Sequence, residues 1–147
     1  MDFDRELDAA ATGPVWLKDP KIAAIVEDSI RKGSELGNYV LHAYVVMFNH
    51  MHILLDPLIS MQRITSGLKG ASARFANLAL QRTGESFWQR ESYDHWVRND
   101  AQFEKIKRYI ENNPVRAGLA SKPEDWEWSS ANRIVEKAAA PSASATG

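Results

Sequence analysis

The chain has 147 residues, no cysteine and a formal net charge of -1, and this length suits one folded domain. Without cysteine, neither a disulfide framework nor a thiolate metal site can form. The acidic start lacks a basic segment followed by an apolar one, and no apolar run reaches the roughly 18 residues of a membrane span. We therefore expect a cytoplasmic protein with no signal peptide and no membrane partner.

The charges are unevenly distributed along the chain. Residues 57–118 contain 10 Lys and Arg against 6 Asp and Glu, whereas residues 1–37 contain 5 against 8. A positively charged section is typical of a surface that binds nucleic acid. A chance distribution over solvated surfaces explains the same counts equally well, so charge alone does not decide.

The first predicted element is a helix in "KDPKIAAIVEDSIRKGSELGN". Asp19 is placed to cap it, Pro20 lies in its first turn, and Gly33 or Gly37 can end it. The next stretch, "YVLHAYVVMFNHMHILLDP", predicts two paired strands at 39–46 and 50–55, because it is rich in β-branched and aromatic residues. Both faces of this hairpin are largely apolar, which places it centrally in a sheet.

Three more elements follow the hairpin. "SMQRITSGLKGASARFANLALQRTG" predicts a second helix, in which we interpret Gly67 and Gly70 as points of close backbone approach. "ESFWQRESYDHWVR" predicts a further strand or extended segment. "NDAQFEKIKRYIENNP" predicts a third helix, capped by Asn99 with Gln102 three residues on and ended by Pro114. "EDWEWSSA" predicts a helical turn that packs two tryptophans. We expect one domain at 1–133 and a disordered tail at 134–147.

Two histidines share one face of the second strand. In a strand, residues i and i+2 point the same way, so His50 and His52 project together, after a turn in which Asn49 tolerates a positive φ. A divalent metal is one explanation, since it uses neutral imidazole nitrogens. Hydrogen bonds at a sheet edge are the other. His42 and His95 are further candidate ligands, but nothing in their local sequence singles them out. An oxygen or amide ligand would instead leave an open site for Mg²⁺ or Mn²⁺.

A tyrosine and an asparagine lie four residues apart in the third helix. Tyr109 and Asn113 therefore share one side, with the tyrosine on the flank of the apolar stripe. An amphipathic tyrosine at a helix boundary explains this pattern without any function. As a nucleophile, a phenol with a pKa near 10 needs a nearby cation or a polarised electrophile. Lys105, one turn earlier, is a candidate cation, and Asn113 is a candidate third metal ligand.

These residues, in this order, resemble the REP-associated tyrosine transposases of the HUH single-tyrosine transposase superfamily. The resemblance is carried by "HMH" at 50–52, by Tyr109 with Asn113, and by the blocks "HAYVVMFNHMHILL", "ITSGLKG", "FWQRESYDHWVR", "RYIENNPVRAGL" and "DWEWSSA". It covers about residues 3–131.

The resemblance implies an α+β fold, a ferredoxin-like antiparallel sheet with helices on one face. It implies that Mg²⁺ or Mn²⁺ is held by His50, His52 and Asn113, and that Tyr109 cleaves and rejoins single-stranded, hairpin-forming DNA. The intermediate would be a 5′-phosphotyrosine. Tyr109, His50 and His52 would then be the catalytic residues.

Two features depart from the family pattern. The chain begins about where the family's first strand ends, so we expect that strand to be missing and the backbone of its neighbours to be exposed. A shortened start, a different use of the N-terminus or a homodimer would each account for the gap. The turn before the histidines has Phe48 where the family has proline, which we expect to loosen the hairpin.

Cations and aromatic rings would bind the DNA. For the tryptophans, a place in the core is favoured over base stacking. Seven cationic residues are candidates for phosphate or for a hairpin stem: Arg63, Lys69, Arg74, Arg90, Arg98, Lys105 and Arg116.

Two other functions stay open at this point. One is a DNA-hairpin-binding protein without catalysis, which the missing strand suggests. The other is a hydrolytic metalloenzyme that uses the two histidines, with Tyr109 in a structural role.

Overall fold

The computed structural model describes residues 15–88 and 93–133, and this part of the chain contains three strands and four helices. The elements are α1 (Pro20–Glu35), β1 (Tyr39–Val46), β2 (Met51–Pro57), α2 (Met61–Leu80), β3 (Tyr93–Val97), α3 (Phe103–Glu111) and α4 (Asn113–Arg116). Short 3-10 turns lie at Trp16–Lys18 and Pro123–Asp125. Among the described helices, none has the length and apolar character that crossing a membrane requires. The predicted tail at 134–147 lies outside the described residues.

Helix α1 begins and ends as its sequence predicts. The Asp19 side chain accepts a hydrogen bond from the Lys21 amide at 2.9 Å, which satisfies one of the free N–H groups of the first turn. Gly37 has a φ of +80° just after the helix, a conformation that glycine adopts without steric cost. Of the two candidate end points, Gly37 is therefore the correct one.

The sheet is mixed, with the strand order β1-β2-β3. β1 and β2 pair antiparallel, whereas β2 and β3 pair parallel, from Met51 opposite Tyr93 to Leu55 opposite Val97. The predicted α+β fold is confirmed, but the sheet is not antiparallel throughout. The reason is the α2 crossover, which returns the chain to the end of the sheet where β2 began.

Helices cover both faces of the sheet, and not one face as the resemblance implied. On one face, α1 and α2 pack their apolar residues against Ile53 and Leu55. On the other, α3 packs Ile106 and Ile110 against Leu54. The cause is visible in the sequence, because a hairpin that is apolar on both faces must exclude water from both.

The gap expected from a missing first strand is not open beside β2. Because β3 pairs directly with β2, the inner strand has a hydrogen-bonding neighbour on each side, and backbone groups that would otherwise lack partners are paired. The end of β1 is also paired on its outer edge, since the Val46 amide donates to the Trp128 carbonyl at 2.8 Å. The predicted turn with two packed tryptophans is confirmed, and it adds this edge contact.

The third helix starts one turn later than predicted and ends before its proline. Asn99 accepts a hydrogen bond from the Ala101 amide, but α3 begins at Phe103 with no side-chain cap. Pro114 lies inside α4. It cannot donate a backbone hydrogen bond to the preceding turn, which is why α3 and α4 are separate elements.

Candidate active site

His50 and His52 lie side by side, as their spacing predicts. His50 immediately precedes β2 and His52 is its second residue, and their ring centroids are 4.8 Å apart. They are 5% and 1% exposed. His52 is in register with Val45 and shares its face of the sheet with Leu54, the face covered by α3.

Burial keeps both imidazoles neutral. It lowers the pKa of His50 to about 4, and the pKa of His52 falls well below its usual value, first through burial and then through repulsion from His50. His50 Nε2 and both nitrogens of His52 are buried without a hydrogen-bond partner. Buried nitrogens without partners are costly in a finished fold, and neutral imidazole is the form that binds metals.

Tyr109 on α3 lies against the histidines. Its ring centroid is 5.9 Å from that of His52 and 5.9 Å from that of Trp96. The guanidinium carbon of Arg116 is 5.4 Å from the centroid of the Tyr109 ring. Tyr109 is 7% exposed, so it belongs to the buried side of α3 and not to the flank that the helical pattern indicated.

Asn113 lies one helical turn beyond the tyrosine. The backbone at Asn112, between α3 and α4, keeps a helical conformation, with φ -89° and ψ -1°. Asn113 therefore lies on the same side of the helix as Tyr109, four residues earlier. It is fully buried, and neither its amide oxygen nor its amide nitrogen has a partner. Within 15–88 and 93–133, no group of three or more His, Cys, Asp or Glu is placed to hold a metal. The buried amide of Asn113 is a candidate third ligand.

The other two histidines lie away from this pair. His42 Nε2 is 3.1 Å from Asp56 Oδ2 and its ring packs on Phe103. His95 is in register with Ile53, which faces the α1 and α2 layer. Neither is positioned as an additional ligand.

Arg116, one of the seven candidate DNA-binding cations, lies against the tyrosine ring. Lys105 is exposed on α3, one turn before Tyr109. Arg98 is paired with two carboxylates, Asp56 at 3.2 Å and Asp100 at 2.9 Å, so its charge is partly neutralised by the protein itself.

The cations of α2 lie on another layer of the molecule. Arg63 and Arg74 are exposed and Lys69 is half-buried, on a helix that covers the face of the sheet opposite the two histidines. Arg90 lies outside the described residues. The structure therefore does not bring Arg63, Lys69 or Arg74 to the tyrosine.

Two residues of the site were missed by sequence reasoning. Trp96 contacts both His52 and Tyr109, and the sequence offered only a choice between core packing and base stacking. The sequence places Asn49 in a turn that suits a positive φ, but the described residues with that conformation do not include it. Instead its Oδ1 is 2.9 Å from His50 Nδ1. An asparagine adjacent to the histidine pair was the available signal.

Comparison with known proteins identifies the family. The family model described as "Transposase IS200 like" matches residues 15–113, well over half of the chain. The chain belongs to the IS200-like transposase family. The match includes both histidines, the tyrosine and, as its last residue, Asn113.

This IS200-like transposase also has a curated relative. The REP-associated tyrosine transposase of Escherichia coli (strain K12) is 26% identical over 107 residues, which is 70% of this chain and 61% of the relative. The chain thus spans less than two thirds of that relative's length. No solved structure gives a significant match. Transposases cleave and rejoin DNA, and the resemblance seen in the sequence is confirmed at the level of the family.

Proposed function

We propose that this chain cleaves and rejoins single-stranded DNA through Tyr109, with a divalent cation held beside it. The observation that carries the proposal is the set of buried polar atoms without partners on His50, His52 and Asn113, next to a tyrosine whose ring is 5.9 Å from that of His52. A folded protein rarely leaves buried polar atoms on several residues unpaired without a ligand for them.

The donor atoms fit a divalent metal. Mn²⁺ accepts two neutral imidazoles and an amide oxygen as ligands. On Mg²⁺, the same three ligands would leave positions for water or phosphate. A cation held by His50, His52 and Asn113 would supply positive charge to a phosphate oxygen. The hydrolytic alternative has less support, because catalytic zinc ordinarily takes three His, Cys or carboxylate ligands and the described residues offer no such group.

In the proposed reaction, the Tyr109 hydroxyl loses its proton and its oxygen bonds to phosphorus. The bond from phosphorus to the 3′ oxygen of the preceding nucleotide breaks, and that oxygen takes up a proton. The products are a 5′-phosphotyrosine and a free 3′-hydroxyl. Because the phosphotyrosine keeps the energy of the broken bond, attack by the 3′-hydroxyl of a second strand rejoins DNA without an external energy source.

Arg116 and the packing around the tyrosine support this role. The guanidinium over the Tyr109 ring places a permanent positive charge where a phosphate would approach, and Trp96 and His52 hold the ring on its other sides. A hairpin-forming target follows from the resemblance, and we include it in the proposal.

A gel assay for the covalent adduct tests the proposal. Full-length protein is incubated with labelled single-stranded hairpin DNA in Mg²⁺, Mn²⁺ or EDTA and then denatured. We expect a metal-dependent shifted band that disappears in Tyr109→Phe and in His50→Ala. Tyr93→Phe is the matched control and should keep the band. Tyr93 lies opposite Met51 in the sheet, and its ring packs in the core on the side of α1 and α2.

Three other outcomes would contradict the proposal. DNA binding without any adduct would indicate a binding protein without catalysis. An adduct that survives Tyr109→Phe would indicate another nucleophile. Co-purified zinc, with hydrolysis unaffected by Tyr109→Phe, would indicate a hydrolytic metalloenzyme.

A further inference from the structure

The loop that joins β1 to β2 contains a side-chain contact to the first histidine. Asn49 Oδ1 is 2.9 Å from His50 Nδ1. An amide oxygen only accepts hydrogen bonds, so this contact is a hydrogen bond in the tautomer that has its hydrogen on Nδ1. Neutral imidazole carries one hydrogen, and Nε2 is therefore left with a free lone pair. Nε2 is also buried and without a partner.

The loop around Asn49 is held from several sides. The Met47 amide donates to the His50 carbonyl at 2.8 Å, and the Leu17 amide donates to the Phe48 carbonyl at 2.9 Å. The Phe48 ring packs on Trp126, with their ring centroids 5.5 Å apart. These contacts oppose the loosening that Phe48 is expected to cause. These backbone hydrogen bonds on both sides of Asn49 restrain the position of its side-chain amide.

The backbone conformation does not explain why residue 49 is an asparagine. Asn49 is not among the residues with a positive φ, so its backbone does not need the left-handed tolerance of asparagine. Its side-chain oxygen contacts the imidazole of His50.

We propose that Asn49 is a positioning residue for the cation site. It holds His50 in the tautomer with hydrogen on Nδ1 and so presents the Nε2 lone pair to the metal. This inference rests on the proposed function, because it assumes that His50 is a metal ligand. Outer partners of this kind fix the ring and the tautomer of a ligating histidine. His52 has no such partner on either nitrogen, so the effect belongs to His50 alone.

The tautomer can be read directly in the metal-free protein. Full-length protein with ¹⁵N-labelled histidine is measured by long-range ¹H–¹⁵N NMR in EDTA. We expect hydrogen on Nδ1 of His50 in the wild type, a shift toward the Nε2 tautomer in Asn49→Ala, and return of the Nδ1 tautomer in Asn49→Asp, whose carboxylate accepts the same hydrogen bond. Asn99→Ala removes an asparagine from an exposed turn and should leave the His50 signal unchanged.

Mn²⁺ affinity is the second readout, by calorimetry on the same variants. Asn49→Ala should weaken binding by about 10- to 100-fold, with recovery in Asn49→Asp and no change in Asn99→Ala. If the wild type binds Mn²⁺ and forms the adduct while Asn49→Ala changes neither tautomer nor affinity, only the role of Asn49 is overturned. A wild type that binds no Mn²⁺ overturns the cation site and this inference together.

Discussion

At the scale of single residues, burial determines the charge of the two site histidines. Both are almost entirely excluded from solvent, and their lowered pKa values follow from that burial. In the unfolded chain each imidazole returns to a pKa near 6.5. The folded and unfolded states therefore bind different numbers of protons in mildly acidic solution, which links folding to pH.

We expect metal-free protein to lose stability as the pH falls from 6.5 toward 4.5. In this window His50 takes up a proton when unfolded but, with a folded pKa of about 4, does not when folded. His50 alone then lowers the free energy of unfolding by about 1.4 kcal/mol per pH unit. Urea unfolding in EDTA at several pH values measures this slope. His50→Gln should be less steep by that amount, and parallel curves for the two proteins would contradict the prediction.

At the scale of secondary-structure elements, a glycine inside α1 sets how closely β1 packs. A Cβ built on Gly33 would lie 2.7 Å from ring carbons of Tyr39. The Tyr39 hydroxyl donates to the Ile30 carbonyl, so the ring lies across this helix. In α2, by contrast, a Cβ on Gly67 or Gly70 meets no atom of residues 15–88 or 93–133 within 4 Å. The interpretation of those two glycines as points of close approach is therefore wrong.

We expect Gly33→Ala and Gly67→Ala to change stability in opposite directions. Gly33→Ala forces the buried Tyr39 ring to move and should cost about 1–3 kcal/mol of unfolding free energy. Gly67→Ala has room for its methyl group and should gain roughly 0.5–1 kcal/mol, since alanine favours the helix. Chemical denaturation of both variants makes the comparison. Equal effects would mean that the space around Gly33 is not limiting.

At the scale of the whole molecule, the sheet separates two groups of cations. Arg116 lies on the histidine side, against Tyr109, whereas Arg63 and Arg74 are on the helix that covers the opposite face. Under the proposed function, a DNA strand cut at Tyr109 would meet Arg116 before the α2 arginines. The α2 arginines could contact only a more distant part of a folded target.

Adduct formation on a short unstructured DNA strand should distinguish these groups. Arg116→Gln should slow the reaction by about 10-fold or more, because it removes a charge beside the reacting phosphate. The double variant Arg63→Gln/Arg74→Gln should stay within about 2-fold, since distant charges are screened over roughly 10 Å at ordinary salt. Initial rates at two salt concentrations provide the measurement. The reverse ranking would place the DNA along α2.

Much of this protein could be predicted from local sequence. The limits of β1 and the start and end of α1 follow from residue preferences and caps, which depend on a few neighbouring residues. The pairing of His50 with His52 follows from the two-residue period of a strand. These features need no knowledge of distant contacts, and the structure agrees with each of them.

The tertiary structure decided the rest, because the deciding contacts join residues far apart in the chain. Parallel pairing of β3 with β2 depends on which edge is free after α2 has crossed the sheet. The position of α3 on the second face depends on which apolar surface still needs cover. The place of each arginine depends in turn on those two outcomes. These features are determined by burial and backbone pairing over the whole fold. A short segment of sequence therefore cannot predict them.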